Sequence, residues 1–206
     1  QVPMWRQYMQ QVAVKNIAKL EFILGITHGI AEGIGITGFG HIQEKIAEII
    51  DILETVRAYM RSAEADAAPS EGEGIWPAQE PWIAMRNWYP DAYVRVIWIL
   101  EQLAAGGLML TPSEEDINGP MAEDIGKYYQ GATANAADRV KLFRLAWDLI
   151  GSEFAGRQDQ YEKFYAGPPF ITRRRIFDHY NFEKSGALVD AALAGYDLAG
   201  RLPRAK

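Results

Sequence analysis

The segment HIQEKIAEIIDILETVRAYMRSAEADA, residues 41–67, decides the fold. Its apolar side chains Ile42, Ile46, Ile49, Leu53, Val56, Met60 and Ala63 step by four and three without interruption, which is the seam of a helix. Gln43, Glu44, Lys45, Glu48, Asp51, Glu54, Arg57, Arg61 and Glu64 occupy the other faces. An amphipathic helix of about seven turns must bury that stripe against other helices. The predicted fold class is therefore all-α, a helical bundle.

The upstream residues supply a partner. From about Met4 to Ile34, one helical stripe holds Ala13, Ile17, Leu20, Leu24, Thr27 and Ala31, and an adjoining one holds Val12, Ile23, Ile26 and Ile30. So wide an apolar arc predicts a mostly buried helix. Gly25, Gly29 and Gly33 lie four apart on it, and each costs helix stability of about 1 kcal/mol relative to alanine, so close approach of another backbone is expected there. Gly33-Ile34-Gly35-Ile36-Thr37-Gly38 matches G-x-G-x-x-G, but that dinucleotide fingerprint needs a preceding strand. A helix precedes it here, so it reads as a helix-to-helix loop.

Downstream, Pro69-Ser70-Glu71-Gly72-Glu73-Gly74 reads as a flexible loop within the domain. Residues 81–105 carry Trp82, Met85, Trp88, Tyr89, Tyr93, Val96, Ile97, Leu100 and Leu103 at helical spacing, with Pro90 expected to kink or split the helix and Gly106-Gly107 to end it. These aromatics suit a core or a subunit interface better than a cofactor pocket. Ser113 and Asp116 form a helix-start signature for a single turn. A short helix at 121–130 and a small-residue connection at 131–135 follow. Val140, Phe143, Trp147, Ile150, Phe154, Arg157, Tyr161 and Phe164 then continue the three-four spacing, apolar at every position but Arg157. The tail predicts a turn at Pro168-Pro169, a basic helix start at Arg173, Arg174 and Arg175, and a last amphipathic helix with Leu188, Val189, Ala192, Leu193 and Tyr196.

Composition narrows the function. With 206 residues, 49% hydrophobic and 23% charged, the chain suits one sizeable core, and a single helical domain over 1–206 is expected. A net charge of −6 argues against nucleic acid or an anionic membrane as main partner. The absence of cysteine excludes disulfides, thiolate metal sites and a cysteine nucleophile from this chain. The uncharged runs 22–31 and 33–43 fall short of the roughly 18 residues of a membrane span, and a cytoplasmic protein is expected. A start on Gln1 points to a processed product or a piece of something longer. His28, His41 and His179 share no ligand spacing, so no metal site is predicted, and no known catalytic motif names a catalytic residue.

One segment breaks local rules. Asp148-Leu149-Ile150-Gly151-Ser152-Glu153-Phe154-Ala155-Gly156-Arg157-Gln158 places two glycines and a seam-position arginine in one helix-period run, as functional sites do. Two readings stand: a functional site, or Arg157 pairing a buried carboxylate at a helix crossing.

The runs Lys19-Leu20-Glu21-Phe22-Ile23-Leu24-Gly25, Gly38-Phe39-Gly40-His41-Ile42-Gln43-Glu44-Lys45, Tyr89-Pro90, Gly106-Gly107-Leu108-Met109-Leu110-Thr111-Pro112-Ser113, Arg144-Leu145-Ala146-Trp147-Asp148 and Gly151 through Gln158 resemble, in order and spacing, the C-terminal region of the 4-hydroxyphenylacetate 3-hydroxylase family. The resemblance implies the C-terminal bundle of an acyl-CoA-dehydrogenase-like flavoprotein, the last of three domains after an N-terminal helical and a middle β domain, assembling as a homotetramer. It implies FAD, reduced by a separate flavin reductase, in the hydroxylation of a small aromatic substrate. By the same resemblance Gly151, Ser152, Glu153, Phe154, Gly156 and Arg157 would contact FAD. Several hydroxylases of the family carry a histidine near this chain's start, where Trp5-Arg6-Gln7 stands instead. A dehydratase relative uses a cysteine from the equivalent region, and this chain has none. The alternatives are a dehydratase or isomerase relative lacking that ligand, and a flavin-free assembly module.

Overall fold

Three long helices make the core: α1 (Met4–Gly33), α2 (Gly40–Ala65) and α3 (Gln79–Ala104) each pack on the other two. The computed structural model describes residues 4–69 and 74–196. Leu20, Ile23 and Ile30 from α1, Ile49 and Val56 from α2, and Trp82, Met85, Tyr89, Val96, Ile99 and Leu100 from α3 are removed from solvent. Each such side chain stabilises the fold by roughly 1.5–3 kcal/mol relative to exposure. On α2 the predicted seam is buried at Ile42, Ile49, Leu53, Val56 and Ala63, half-buried at Ile46 and Met60, and widened by Ile52. Ion pairs rim the core: Arg95 grips both oxygens of Glu48 at 2.6 and 2.8 Å, tying α3 to α2, and Arg57 bridges Glu21 and Glu54.

The turn after α1 is a Schellman motif. Gly35 takes φ +78°, Gly35 N–H donates to the Glu32 carbonyl at 3.0 Å and Ile36 N–H to the Ala31 carbonyl at 2.9 Å. The glycine run is thus a helix stop, as its sequence context predicts. The glycines of α1 divide. A Cβ on Gly33 would touch Ala134 at 3.4 Å and one on Gly29 would touch Leu142 at 3.3 Å, whereas nothing lies within 4 Å of Gly25. Close backbone approach occurs at Gly33 alone, where Thr133 N–H donates to the Gly33 carbonyl at 3.2 Å. The expectation fails at Gly25, which faces solvent.

Beyond α2, Ala68–Pro69 and Ile75–Trp76 pair as two antiparallel strands, β1 and β2, in place of an entirely irregular loop. Residues 70–73 of that loop lie outside the described residues, as do the side chains of Trp5 and Arg6. Helix α3 is continuous through Pro90 rather than split there. Tyr89, Pro90, Ala92 and Tyr93 are all buried, and tertiary packing holds the helix across the missing N–H. A 3₁₀ turn, Ala105–Leu108, follows, and Gly107 is required because a Cβ would collide with the Phe143 ring. Ser113 and Asp116 form a reciprocal capping box on α4 (Glu114–Asn118), which holds the Asp116 carboxyl below its usual range through hydrogen bonds from the Ser113 backbone and hydroxyl. Helix α5 (Ala122–Tyr128) leads to α6 (Ala136–Ile150), whose Asn135 cap accepts from Asp138 N–H at 2.9 Å.

The apolar pattern from Val140 to Phe164 belongs to two helices, not one. Gly151 and Ser152 break it, and α7 (Glu153–Phe164) begins anew with the Ser152 hydroxyl accepting from Ala155 N–H at 3.1 Å. Helix α7 packs on α3 and α6.

Residues 1–169 and 170–206 divide as two compact units. The described part of the second holds most of α8 (Pro169–His179), which begins at Pro169 rather than at the predicted Arg173, and all of α9 (Glu183–Leu193), which carries Leu188, Val189, Ala192 and Leu193 as predicted but ends before Tyr196. Within it Phe177, Tyr180 and Phe182 cluster, with Phe182 edge-on to Tyr180 at 4.9 Å. Leu188, Val189, Leu193 and Tyr196 are exposed. No helix among the described residues is long and apolar enough to cross a membrane.

Candidate functional site

The break at Gly151 fixes what α7 shows to solvent. A Cβ on Gly151 would run into the Trp147 ring, and both Gly151 and Ser152 N–H donate to the Trp147 carbonyl, at 2.8 and 3.0 Å. Gly151 therefore serves the α6–α7 corner, and its open side is filled from within the chain. The Ser152 hydroxyl is used locally too, donating to the Asp148 carbonyl at 3.0 Å while it caps α7. Gly156 differs, since nothing lies within 4 Å of a Cβ built there.

Resetting the helix after residue 152 moves Arg157 off the seam. Arg157 is exposed and makes no ion pair or hydrogen bond among the described residues. It does not point into this bundle, which corrects the seam reading of the 140–164 pattern. Phe154, Tyr161 and Phe164 stand on the same outer side, 65%, 43% and 49% exposed. The inward face of α7 is the opposite of apolar: Ala155 and Glu162 are its only buried residues. Helix α7 is thus inverted, with a carboxylate inside and an arginine among aromatics outside.

A buried carboxylate at a helix crossing does exist, but it is Glu162 and its partners are lysines. Lys15 Nζ lies 2.6 Å from both Glu162 oxygens and Lys19 Nζ 3.0 Å from Oε1. Lys19 sits over the Tyr93 ring at 4.8 Å, and Lys15 over Tyr161 and Tyr165 at 5.1 and 5.4 Å. Burial lowers the Lys15 pKa against the pull of Glu162, and burial pushes the Tyr89, Tyr93 and Tyr165 hydroxyls upward, helped by the Glu162 charge. Glutamate on a helix reads as solvated charge, so Glu162 escapes sequence reading. The usable signal is Asn16, a fully buried amide interrupting the apolar stripe of α1 between Lys15 and Lys19.

Helices α3, α6 and α7 enclose a groove of ≈ 230 Å³ whose lining includes Trp98, Ile150 and Gly156 with the charged Glu101, Asp159 and Lys163, and to which Arg157, Phe154, Tyr161 and Phe164 do not contribute. On the outer face of α7, the exposed Arg157 guanidinium, the exposed aromatics and the open Gly156 fit a large, flat, anionic cofactor such as FAD. The three histidines stay far apart in sequence, and no group of acidic or histidine side chains suited to a metal ion occurs among the described residues.

Comparison with known proteins agrees with this architecture. The family model for the C-terminal part of 4-hydroxyphenylacetate 3-hydroxylase matches residues 1–194. The chain is 43% identical over 173 residues to the 4-hydroxyphenylacetate 3-monooxygenase oxygenase component of Thermus thermophilus, covering 84% of this chain and 36% of that protein. It is 41% identical over 186 residues to the same component from a Geobacillus species, covering 90% and 38%. A crystal structure of such an oxygenase component, complexed with FAD and 4-hydroxyphenylacetate, superposes with a TM-score of 0.89 at 40% identity, over 92% of this chain and 40% of that one. An archaeal 4-hydroxybutyryl-CoA dehydratase shares the fold, with a TM-score of 0.75 at 18% identity over 91% of this chain and 38% of that one.

The fold is that of the C-terminal helical bundle of acyl-CoA-dehydrogenase-like flavoproteins. Within that class, the chain belongs to the 4-hydroxyphenylacetate 3-hydroxylase family, to its C-terminal part. It spans a little over a third of the length of the curated relatives it matches.

Proposed function

We propose that this chain is the C-terminal helical domain of an FADH2-dependent aromatic hydroxylase, the oxygenase part of a two-component system, preceded by N-terminal and β domains. Its share of the work is to contact FAD and to build the subunit surface of a homotetramer. A separate flavin reductase supplies the reduced cofactor, and the substrate is a small phenol.

The inverted polarity of α7 carries this reading. A helix that ends at solvent places charge outward and apolar groups inward. Here Glu162 is inside, while Phe154, Tyr161 and Phe164 flank Arg157 outside. Such a face is complete only when covered, and FAD offers both a flat ring system and a pyrophosphate. The Arg157 guanidinium would donate paired hydrogen bonds to phosphate oxygens. Gly156 lets a ligand approach the backbone. Ser152 and Gly151 hold the corner that presents them, and Glu153 and Phe154 supply unpaired first-turn N–H groups beside it. When bound, the flavin supplies the oxygen chemistry, and the protein's task is binding, orientation and exclusion of water.

The exposed aromatics also suit an interface, so a flavin-free assembly module is the competing reading. Titrating the complete polypeptide with FAD, followed by flavin absorbance and fluorescence, separates the two. Arg157→Gln should weaken binding by about 10-fold or more, as expected when a hydrogen bond to a charged group is lost. No spectral change with the wild-type protein favours the assembly module, and unchanged affinity in the variant removes Arg157 from the site.

A further inference from the structure

Helix α7 is oriented by little apolar burial. Of its twelve residues only Ala155 is a buried hydrophobe, and a single methyl group against α3 and α6 fixes neither rotation nor height. The corner before it is a two-residue link, Gly151-Ser152, which sets where α7 starts and not how it is turned. At its C-terminal end the Tyr165 ring packs against the core and Arg86 donates to the Ala166 carbonyl, and within the helix itself what remains is Glu162. Its carboxylate has no solvent exposure, receives Lys15 at both oxygens and Lys19 at one, and joins α7 to α1, 143 to 147 residues away in sequence. Gln158, one turn earlier on the same side, adds a weak contact with Lys19 at 3.4 Å. Two cations on one buried carboxylate, each seated over tyrosine rings, form a directional lock that apolar contacts would not give.

We propose that Glu162 is a positioning residue: clamped by Lys15 and Lys19, it sets the rotation of α7 and thereby aims Arg157 and Gly156 at the cofactor. This rests on the flavin reading of α7. Arg157 lies five residues before Glu162, about 7.5 Å along the axis and about 140° around it, so the lock and the binding face are on opposite sides of one rigid rod. A 10° turn of that rod shifts a group about 6 Å from the axis by about 1 Å, enough to break a bidentate contact.

A double-mutant cycle on the complete polypeptide tests it, with FAD affinity and melting temperature measured for each variant. Glu162→Gln keeps the shape and loses the charge, and should weaken FAD binding by about 10-fold, comparable to losing the Arg157 contact. In an Arg157→Gln background the same change should cost less than about 3-fold, because the residue it aims is gone. A purely structural role would instead multiply the two losses, which overturns the proposal. Unchanged affinity in Glu162→Gln overturns it as well. If Arg157→Gln alone binds FAD normally, the contact reading fails, and the positioning role falls with it. Lys15→Met, which leaves Lys19 in place and covers the tyrosine rings with a similar stem, serves if Glu162→Gln does not fold. It should weaken binding severalfold, again only when Arg157 is present, and a loss that persists without Arg157 counts against the lock.

Discussion

The two glycines of the α6–α7 region should respond to alanine in opposite directions. At Gly156 the structure has open space, and the residue lies inside α7, where glycine is disfavoured by about 1 kcal/mol relative to alanine. Gly156→Ala should therefore stabilise the domain by about 1 kcal/mol, which for a domain of this size raises the melting temperature by about 2–4 °C. At Gly151 the new methyl would enter the Trp147 ring, which packs against the core, so the ring or the corner must move. Overpacking of this kind costs about 1–3 kcal/mol, a fall of about 2–12 °C. Thermal melts of both variants without flavin give the signs. FAD titration then adds a second axis, since a methyl at Gly156 occupies space proposed for the cofactor. The variant should be more stable and yet bind FAD less tightly. A lower melting temperature for Gly156→Ala would refute the placement of α7, and a higher one with unaltered FAD affinity would show that the cofactor does not approach there.

Trp82→Ala removes a fully buried ring from the first turn of α3 and should cost about 3–5 kcal/mol in chemical denaturation. Trp98→Ala, half-exposed on the same helix, should change stability far less while weakening subunit association, as read by light scattering over a dilution series. Stability should fall as pH rises past about 10. Tyr89, Tyr93 and Tyr165 have folded pKa values raised by burial, so their contribution is complete below the unfolded value and is lost above it. The lowered Lys15 pKa acts in the opposite sense, adding stability as pH climbs toward 10.5, but it is one group against three. Tyrosinate absorbance for these residues should therefore appear together with unfolding, and ionisation well before unfolding would contradict their burial.

The long helices are legible because their periodicity runs over many turns: the α1 stripes and the α2 seam each name the residues that the structure buries. The same method misplaces Arg157 for a definite reason. Periodicity counts residues at about 100° each and assumes helical phase throughout, and Gly151-Ser152 breaks that phase, so every position beyond it faces elsewhere. Phe154, Tyr161 and Phe164 then look like core and are surface. Pro90 misleads in the other direction, because local propensity cannot anticipate that Tyr89 and Tyr93 would be packed on both sides of it. The Lys15–Lys19–Glu162 cluster joins residues from opposite ends of the chain, and only Asn16 in the α1 stripe marks it beforehand.

The proposed flavin-binding role belongs to the outer face of α7. An experimental structure of the complete polypeptide with FAD bound tests it most directly. The Arg157 guanidinium should lie within hydrogen-bond distance, about 3 Å, of the cofactor's phosphate oxygens, with Gly156 against the ligand and the Glu162 clamp intact behind it. FAD bound elsewhere, with Phe154, Arg157 and Tyr161 covered by protein alone, would contradict it.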